Sequence, residues 1–115
     1  MSKPVVHFEI GGRDLATLVP FYSKLFGWDI AHHGPAAFIT SRTGITGHMT
    51  SLGHEPHNYV TVYVEVDDLD GTLKQVNELG GKTVVPPTKI PGSTFAWFTD
   101  PEGTLIGLLK YDAKT

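Results

Sequence analysis

The chain contains no cysteine, which excludes disulfides, thiol chemistry and thiolate-bound zinc and makes a reducing, cytoplasmic location the expectation. It has no cluster of lysine and arginine. Its 9 basic and 12 acidic residues leave a formal net charge of -3, so no phosphate-tracking surface and no nucleic-acid partner are expected. No run of about 18 apolar residues is present, so no membrane-spanning helix is expected, and the opening "MSKPVVHFEI" has no signal-peptide pattern. What is present suits a folded domain: 40% of residues are hydrophobic and 18% charged, far from the composition of a disordered chain. At 115 residues, one domain over 1–115 is expected.

An internal repeat organises that domain. Residues 7–30, "HFEIGGRDLATLVPFYSKLFGWDI", superimpose without a gap on residues 61–84, "TVYVEVDDLDGTLKQVNELGGKTV". Asp14 meets Asp68, Leu15 meets Leu69, Leu25 meets Leu79, and Gly27 meets Gly81. Each copy reads as a strand, an acidic helix start, an amphipathic helix, then glycine and another strand. The first helix carries Leu15, Leu18, Val19, Tyr22, Leu25 and Phe26 at helical spacing, with Phe21, Tyr22 and Phe26 expected in the core. Asp14 is its expected N-cap. Pro20 would break a mid-helix hydrogen bond, so a tight turn at 14–17, with Thr17 capping a later start, is one way to place it. In the second helix Asp68 caps, Leu69, Leu73, Val76 and Leu79 face inward, and Gly80-Gly81 stops.

Three short strands are expected after each helix, near 28–32, 36–40 and 45–51, then near 82–86, 94–99 and 104–111. "TDPEG", 99–103, has Asp, Pro and Gly at the first, second and fourth places of a type I turn, with "SRTG", 41–44, as its weaker counterpart. The order is βαβββ twice: an α+β fold with module one at about 4–52, a linker at 53–58 and module two at about 59–112. The two modules are expected to form a curved mixed sheet with helices on one face and a cleft on the other.

The stretch "VVHFEIGGRD" bears on that cleft. Residues two apart on a strand share a face. Val6, Phe8 and Ile10 suit the helix side, which leaves His7 and Glu9 for the cleft. In the matching strand Val60, Val62, Val64 and Val66 suit the helix side, and Thr61, Tyr63 and Glu65 remain. His7 beside a carboxylate can act as a base near neutral pH, so His7 and Glu9 are the candidate catalytic pair.

With "VHFEIGGRDLATLVPFYSKLFGW", "VYVEVDDLDGTLKQVNELGG" and the closing "FAWFTDPEGTLIGLL", the chain resembles the vicinal oxygen chelate superfamily of glyoxalase I, extradiol dioxygenases and bleomycin-resistance proteins, specifically its small glyoxalase-related members. The resemblance covers nearly the whole chain. It implies four metal-ligand positions on the first and last strands of each module: His7, Thr61, Gly107, and His48 or, with a shorter turn, Gly47. Threonine is a poor ligand and glycine offers no side chain. His7 and His48 remain, with Glu9 as a third donor in a rearranged metal site. The expected cofactor is therefore none, with a divalent metal at His7, His48 and Glu9 as the alternative. A glutamate is lacking at 107, which argues against lactoylglutathione lyase activity.

Other features read plainly. "HEPHN" lacks the i, i+4 spacing of a helical metal motif, and Pro56 argues for a loop, so His54 and His57 are expected to be exposed linker residues. His32 and His33 are adjacent on a strand end and point opposite ways. Phe95 and Trp97 share one strand face, Ala96 and Phe98 the other, and the sequence leaves open which face is inward. Trp97 and Tyr63 are the expected aromatic cleft residues, with Thr61 and Glu65 beside them as ligand contacts. Such a lining suits a planar or hydrophobic small molecule.

Three functions compete. The first is small-molecule binding with a largely lost metal site, sequestering or resistance-type, in which Glu9 and Glu65 could favour a cationic drug. The second is a lyase, isomerase or dioxygenase using a metal, or His7 alone. The third is an accessory module. A homodimer is also expected, because strand edges need cover and because the resemblance implies clefts at subunit interfaces.

Overall fold

The computed structural model describes residues 2–40 and 44–113. The chain divides into two compact units, residues 7–61 and residues 62–115 together with 1–6. Ten elements follow in order: β1 (Val5–Gly11), α1 (Leu15–Phe26), β2 (Asp29–His33), β3 (Ala36–Thr40), β4 (Thr46–Thr50), β5 (Tyr59–Glu65), α2 (Leu69–Glu78), β6 (Lys82–Ile90), β7 (Ser93–Thr99) and β8 (Leu105–Tyr111). This is α+β, with βαβββ twice. The proposed turn at 41–44 falls largely on 41–43, outside the described residues. No described helix is long and apolar enough to cross a membrane.

Within the first unit the strands run in the order β2-β3-β4-β1, with β1 and β4 parallel and the other pairs antiparallel. The order β5-β8-β7-β6 repeats that pattern in the second, with β5 and β8 parallel. A parallel pair needs a crossover, and in each unit the helix and two strands between its partners supply it. The register pairs Glu9 with His48 and Tyr63 with Gly107. That settles the position matching Gly107 as His48 and not Gly47.

Alternation decides which side chains pack under the helices. Phe8 and Ile10 of β1 join Leu15, Leu18, Val19, Tyr22, Ala37, Ile39 and Met49 in one core. In the other, Val64 and Val66 of β5 pack with Leu69, Leu73, Ala96, Phe98 and Leu108. The face left open for β7 is thus resolved: Ala96 and Phe98 lie under α2, and Phe95 and Trp97 point away from it.

The helices correct four expectations. α1 starts at Leu15 and runs through Pro20, so Pro20 is a helix-interior residue and no later start occurs. Pro20 sits on the exposed side, where a carbonyl left without its helical partner can meet water. Asp14 occupies the N-cap position, but its carboxylate accepts from the Thr17 hydroxyl at 2.8 Å and caps no backbone amide. Phe21, Leu25 and Phe26 are each more than half exposed and are not core. Of the aromatics of α1 it is Tyr22 that packs against the core. In α2, Asp68 does cap, accepting from the Gly71 amide at 2.9 Å, and Leu69 and Leu73 are buried, but Leu79 is exposed. The turn at "DPEG" forms as read: the Gly103 amide donates to the Asp100 carbonyl, and Asp100 Oδ1 accepts from the amides of Glu102 and Thr104.

Candidate functional site

On the first unit's sheet, the face opposite α1 carries a continuous run of polar side chains. β1 contributes His7 and Glu9, β4 contributes Thr46 and His48, and the parallel register places them side by side as His7 with Thr46 and Glu9 with His48. Thr46 Oγ lies 2.8 Å from His7 Nδ1. His7 Nε2 lies 2.7 Å from His48 Nδ1, and the two rings stack with centroids 5.0 Å apart. His48 Nε2 is 3.2 Å from Glu9 Oε1. Tyr59, the first residue of β5, donates its hydroxyl to Glu9 Oε2. His54 stacks on the Tyr59 ring with centroids 3.8 Å apart.

Burial grades along this chain. Thr46 is exposed, His7 and His48 are half-buried, and Glu9 is 1% exposed, one of the largest fully buried side chains. A buried carboxylate is tolerated only with donors to hold it, and His48 and Tyr59 are such donors. Burial, and secondarily His48, holds the His7 imidazole down to about 4 against the opposing pull of Glu9, so His7 is neutral at pH 7. Burial and the bond to Glu9 push the Tyr59 phenol up, which keeps it a donor.

Two glycines make room for Tyr59. A Cβ at Gly11 would overlap its ring, and one at Gly53 would overlap its hydroxyl. Tyr59, Thr46 and His54 are the members that reading the sequence missed. Tyr59 and Glu9 are 50 residues apart and come together only through the fold. No sequence signal named Tyr59, because Gly11 and Gly53 meet its ring only in the folded chain. His54 and His57 are also corrected: both are half-buried, His54 stacked on Tyr59 and His57 beside Glu55, so neither is an exposed linker residue. His32 and His33 are exposed on β2, with His32 Nε2 2.9 Å from the Gly34 carbonyl oxygen.

The candidate metal donors His7, His48 and Glu9 are therefore together, but they bond to one another. The facing nitrogens of His7 and His48 point at each other at hydrogen-bond distance, and Glu9 divides its oxygens between His48 and Tyr59. A metal needs lone pairs converging on one outside point. Among the described residues, no group of three or more His, Asp or Glu side chains is arranged to hold one. The donors as placed do not fit a divalent ion. Burial and these bonds also remove Glu9 as a free charge for a cationic ligand.

The matching face of the second unit is aromatic. Trp97 Nε1 donates to the Tyr63 hydroxyl at 2.8 Å, and Phe95 lies 6.0 Å from Trp97 between ring centroids. Gly107, in register with both Tyr63 and Trp97, lets the Tyr63 ring lie over it; a Cβ there would overlap the ring. Thr61 is buried and Glu65 half-buried on the same strand. A cavity of about 310 Å³ lies elsewhere in this unit, on the α2 side, lined by Val76, Leu79, Phe98 and Pro101 among others. Its carboxylate, Asp100, is committed to the 100–103 turn, so that cavity offers packing and not chemistry.

Comparison with known proteins follows the same lines. Residues 5–108 match the sequence pattern of the Glyoxalase/Bleomycin resistance protein/Dioxygenase superfamily. The chain is 27% identical to the anthracycline biosynthesis protein DnrV of Streptomyces peucetius over 90% of its own length, and it spans 45% of that relative's length. Among solved structures, a hypothetical protein from Bacillus halodurans superimposes with a TM-score of 0.77 at 14% identity, covering 100% of this chain and 99% of that one. Methylmalonyl-CoA epimerase from Mycobacterium tuberculosis gives 0.69 at 17% identity, covering 95% and 88%. At such identities the likeness is one of fold.

Proposed function

The chain belongs to the Glyoxalase/Bleomycin resistance protein/Dioxygenase superfamily, and from that premise we propose that it is a small-molecule binding member that works without a resident metal. The observation that carries this reading is the mutual bonding of His7, His48 and Glu9, which spends on one another the groups a metal would need. The ligand is a planar, largely apolar molecule held on the aromatic face of Trp97 and Phe95, with Glu65 as polar neighbour; Tyr63, expected as a contact, is itself buried and supports Trp97 from beneath, and Thr61 is likewise buried and no contact. An aromatic wall with few polar groups suits such a ligand, and a relative named for anthracycline biosynthesis agrees with that class. Binding of this kind, sequestration or resistance, needs complementarity and no catalytic group.

The test uses tag-free protein and a hydroxyanthraquinone probe. Binding should raise the melting temperature by mass action and quench tryptophan fluorescence, and Trp97→Ala should abolish both. No shift with the probe or with a wider panel of planar metabolites would overturn the reading. Elemental analysis should find substoichiometric metal that His7→Ala leaves unchanged; near-stoichiometric metal lost in that variant would restore the metal site. A second reading, a metal-free acid–base lyase or isomerase using His7 and Glu9, is favoured by the side-chain relay that connects them through His48. Turnover of a carbonyl substrate lost in His7→Gln would select it. Pairing into a homodimer in the cytoplasm accompanies either reading, and light scattering decides the copy number.

A further inference from the structure

The run from Thr46 to Glu9 has a direction, and the direction follows from which groups can donate. Tyr59 donates to Glu9 Oε2. An ionised carboxylate accepts only, so the bond at Oε1 is donated by His48 Nε2. A neutral imidazole protonated at Nε2 has a lone pair at Nδ1. His48 Nδ1 must therefore accept, and His7 Nε2 must donate to it across 2.7 Å. That leaves a lone pair on His7 Nδ1, to which the Thr46 hydroxyl donates at 2.8 Å. Every proton in the run points toward Glu9. The reverse order would need either a proton on Glu9, to which Tyr59 already donates, or a second proton on His48.

We propose that Glu9 is a positioning residue that fixes both His7 and His48 as Nε2–H tautomers, so that the exposed end of the run, the Thr46 oxygen, is a hydrogen-bond acceptor for a neutral hydroxyl of a ligand. Thr46 is exposed and its oxygen keeps lone pairs while it donates inward, so a ligand hydroxyl extends the run without displacing a member. Aligned hydrogen bonds polarise one another, which strengthens acceptance at the outer end. A carboxylate or phosphate ligand meets the same lone pairs and finds no donor. The ligand class is therefore a phenol, enol or alcohol. This part rests on the small-molecule reading above; the direction of the run does not.

The experiment is nitrogen-15 imidazole spectroscopy on the full chain at pH 7, without ligand. Both rings are expected as Nε2–H tautomers. An Nδ1–H tautomer at either ring overturns the proposal. Glu9→Gln replaces an obligatory acceptor with an amide that can also donate, and both rings should then lose the uniform Nε2–H state; a change at His48 that leaves His7 untouched also overturns it. Tyr59→Phe keeps the carboxylate and should keep both tautomers, which separates polarity from loosened packing. If Glu9→Gln does not fold, the wild-type tautomers alone decide. Phenol should then move the His7 Nδ1 resonance and benzoate should not. Movement with benzoate, or with neither, overturns the ligand part, while the tautomers and the anthraquinone assay report separately on the other two claims.

Discussion

The two modules set different side chains on the same scaffold. Across three neighbouring strands, module one carries Phe38, His48 and Glu9 in register, and module two carries Trp97, Gly107 and Tyr63. Both rows lie opposite their helix. In module one a histidine and a buried carboxylate face each other and are held by further donors. In module two the histidine position is glycine, and the space it leaves is filled by the Tyr63 ring, which Trp97 holds through a neutral hydrogen bond. One row has become a polar relay and the other an aromatic wall. Duplication of a fold thus supplied two equivalent positions, and the residue opposite the first-strand side chain decided which chemistry each took.

That contrast can be broken or sharpened by substitution. The largest effects should come from what the modules share. Leu15→Ala in one core and Leu73→Ala in the other remove fully packed side chains and should each cost about 2–5 kcal/mol in urea unfolding. A much smaller loss in either would show that its helix is not held by the contacts described. Next comes Tyr59→Phe, which removes a donor from a buried carboxylate and should cost about 1.5–3 kcal/mol, because hydrogen bonds to charged groups are the strong ones.

Trp97→Phe breaks the counterpart bond in the aromatic row, between neutral partners, and should cost about 0.5–1.5 kcal/mol. If it proves costlier than Tyr59→Phe, the distinction between a charged and a neutral row fails. The smallest effect is a dependence on pH. Folding lowers the His7 value from 6.5 to about 4, so the unfolded chain takes up the proton first. The contribution of His7 to stability is complete above 6.5, is lost as pH falls through the window from 6.5 to 4, and changes no further below it. After allowance for solvent screening of a half-buried ring, the loss is on the order of 1 kcal/mol or less. His7→Gln should flatten the stability profile in that window, and an unchanged slope would show that another group titrates there.

Much of the fold was legible in the chain. The gapless repeat, the period-two alternation in "VHFEI" and "VYVEV", the Asp68 cap and the "DPEG" turn are local signals, set by backbone geometry and burial within a few residues. They placed the strands within a residue or two, except β6, which continues to Ile90, and they assigned His7 and Glu9 to the face away from α1. Pro20 inside α1 and the exposure of Phe21, Leu25 and Phe26 were not legible, because apolar spacing shows which side chains can pack and not which of them meet a partner.

By itself, then, the sequence determined the order of elements, the two-fold repetition and the placing of threonine at 61 and glycine at 107, because each is a matter of residue type and near-neighbour spacing. Only the tertiary structure decided that His7 reaches Glu9 through His48, that Tyr59 closes the run from 50 residues away, and that Tyr63 fills the place above Gly107. Strand register and side-chain direction fix those contacts, and both arise from packing between segments whose separation along the chain carries no information about their distance in space.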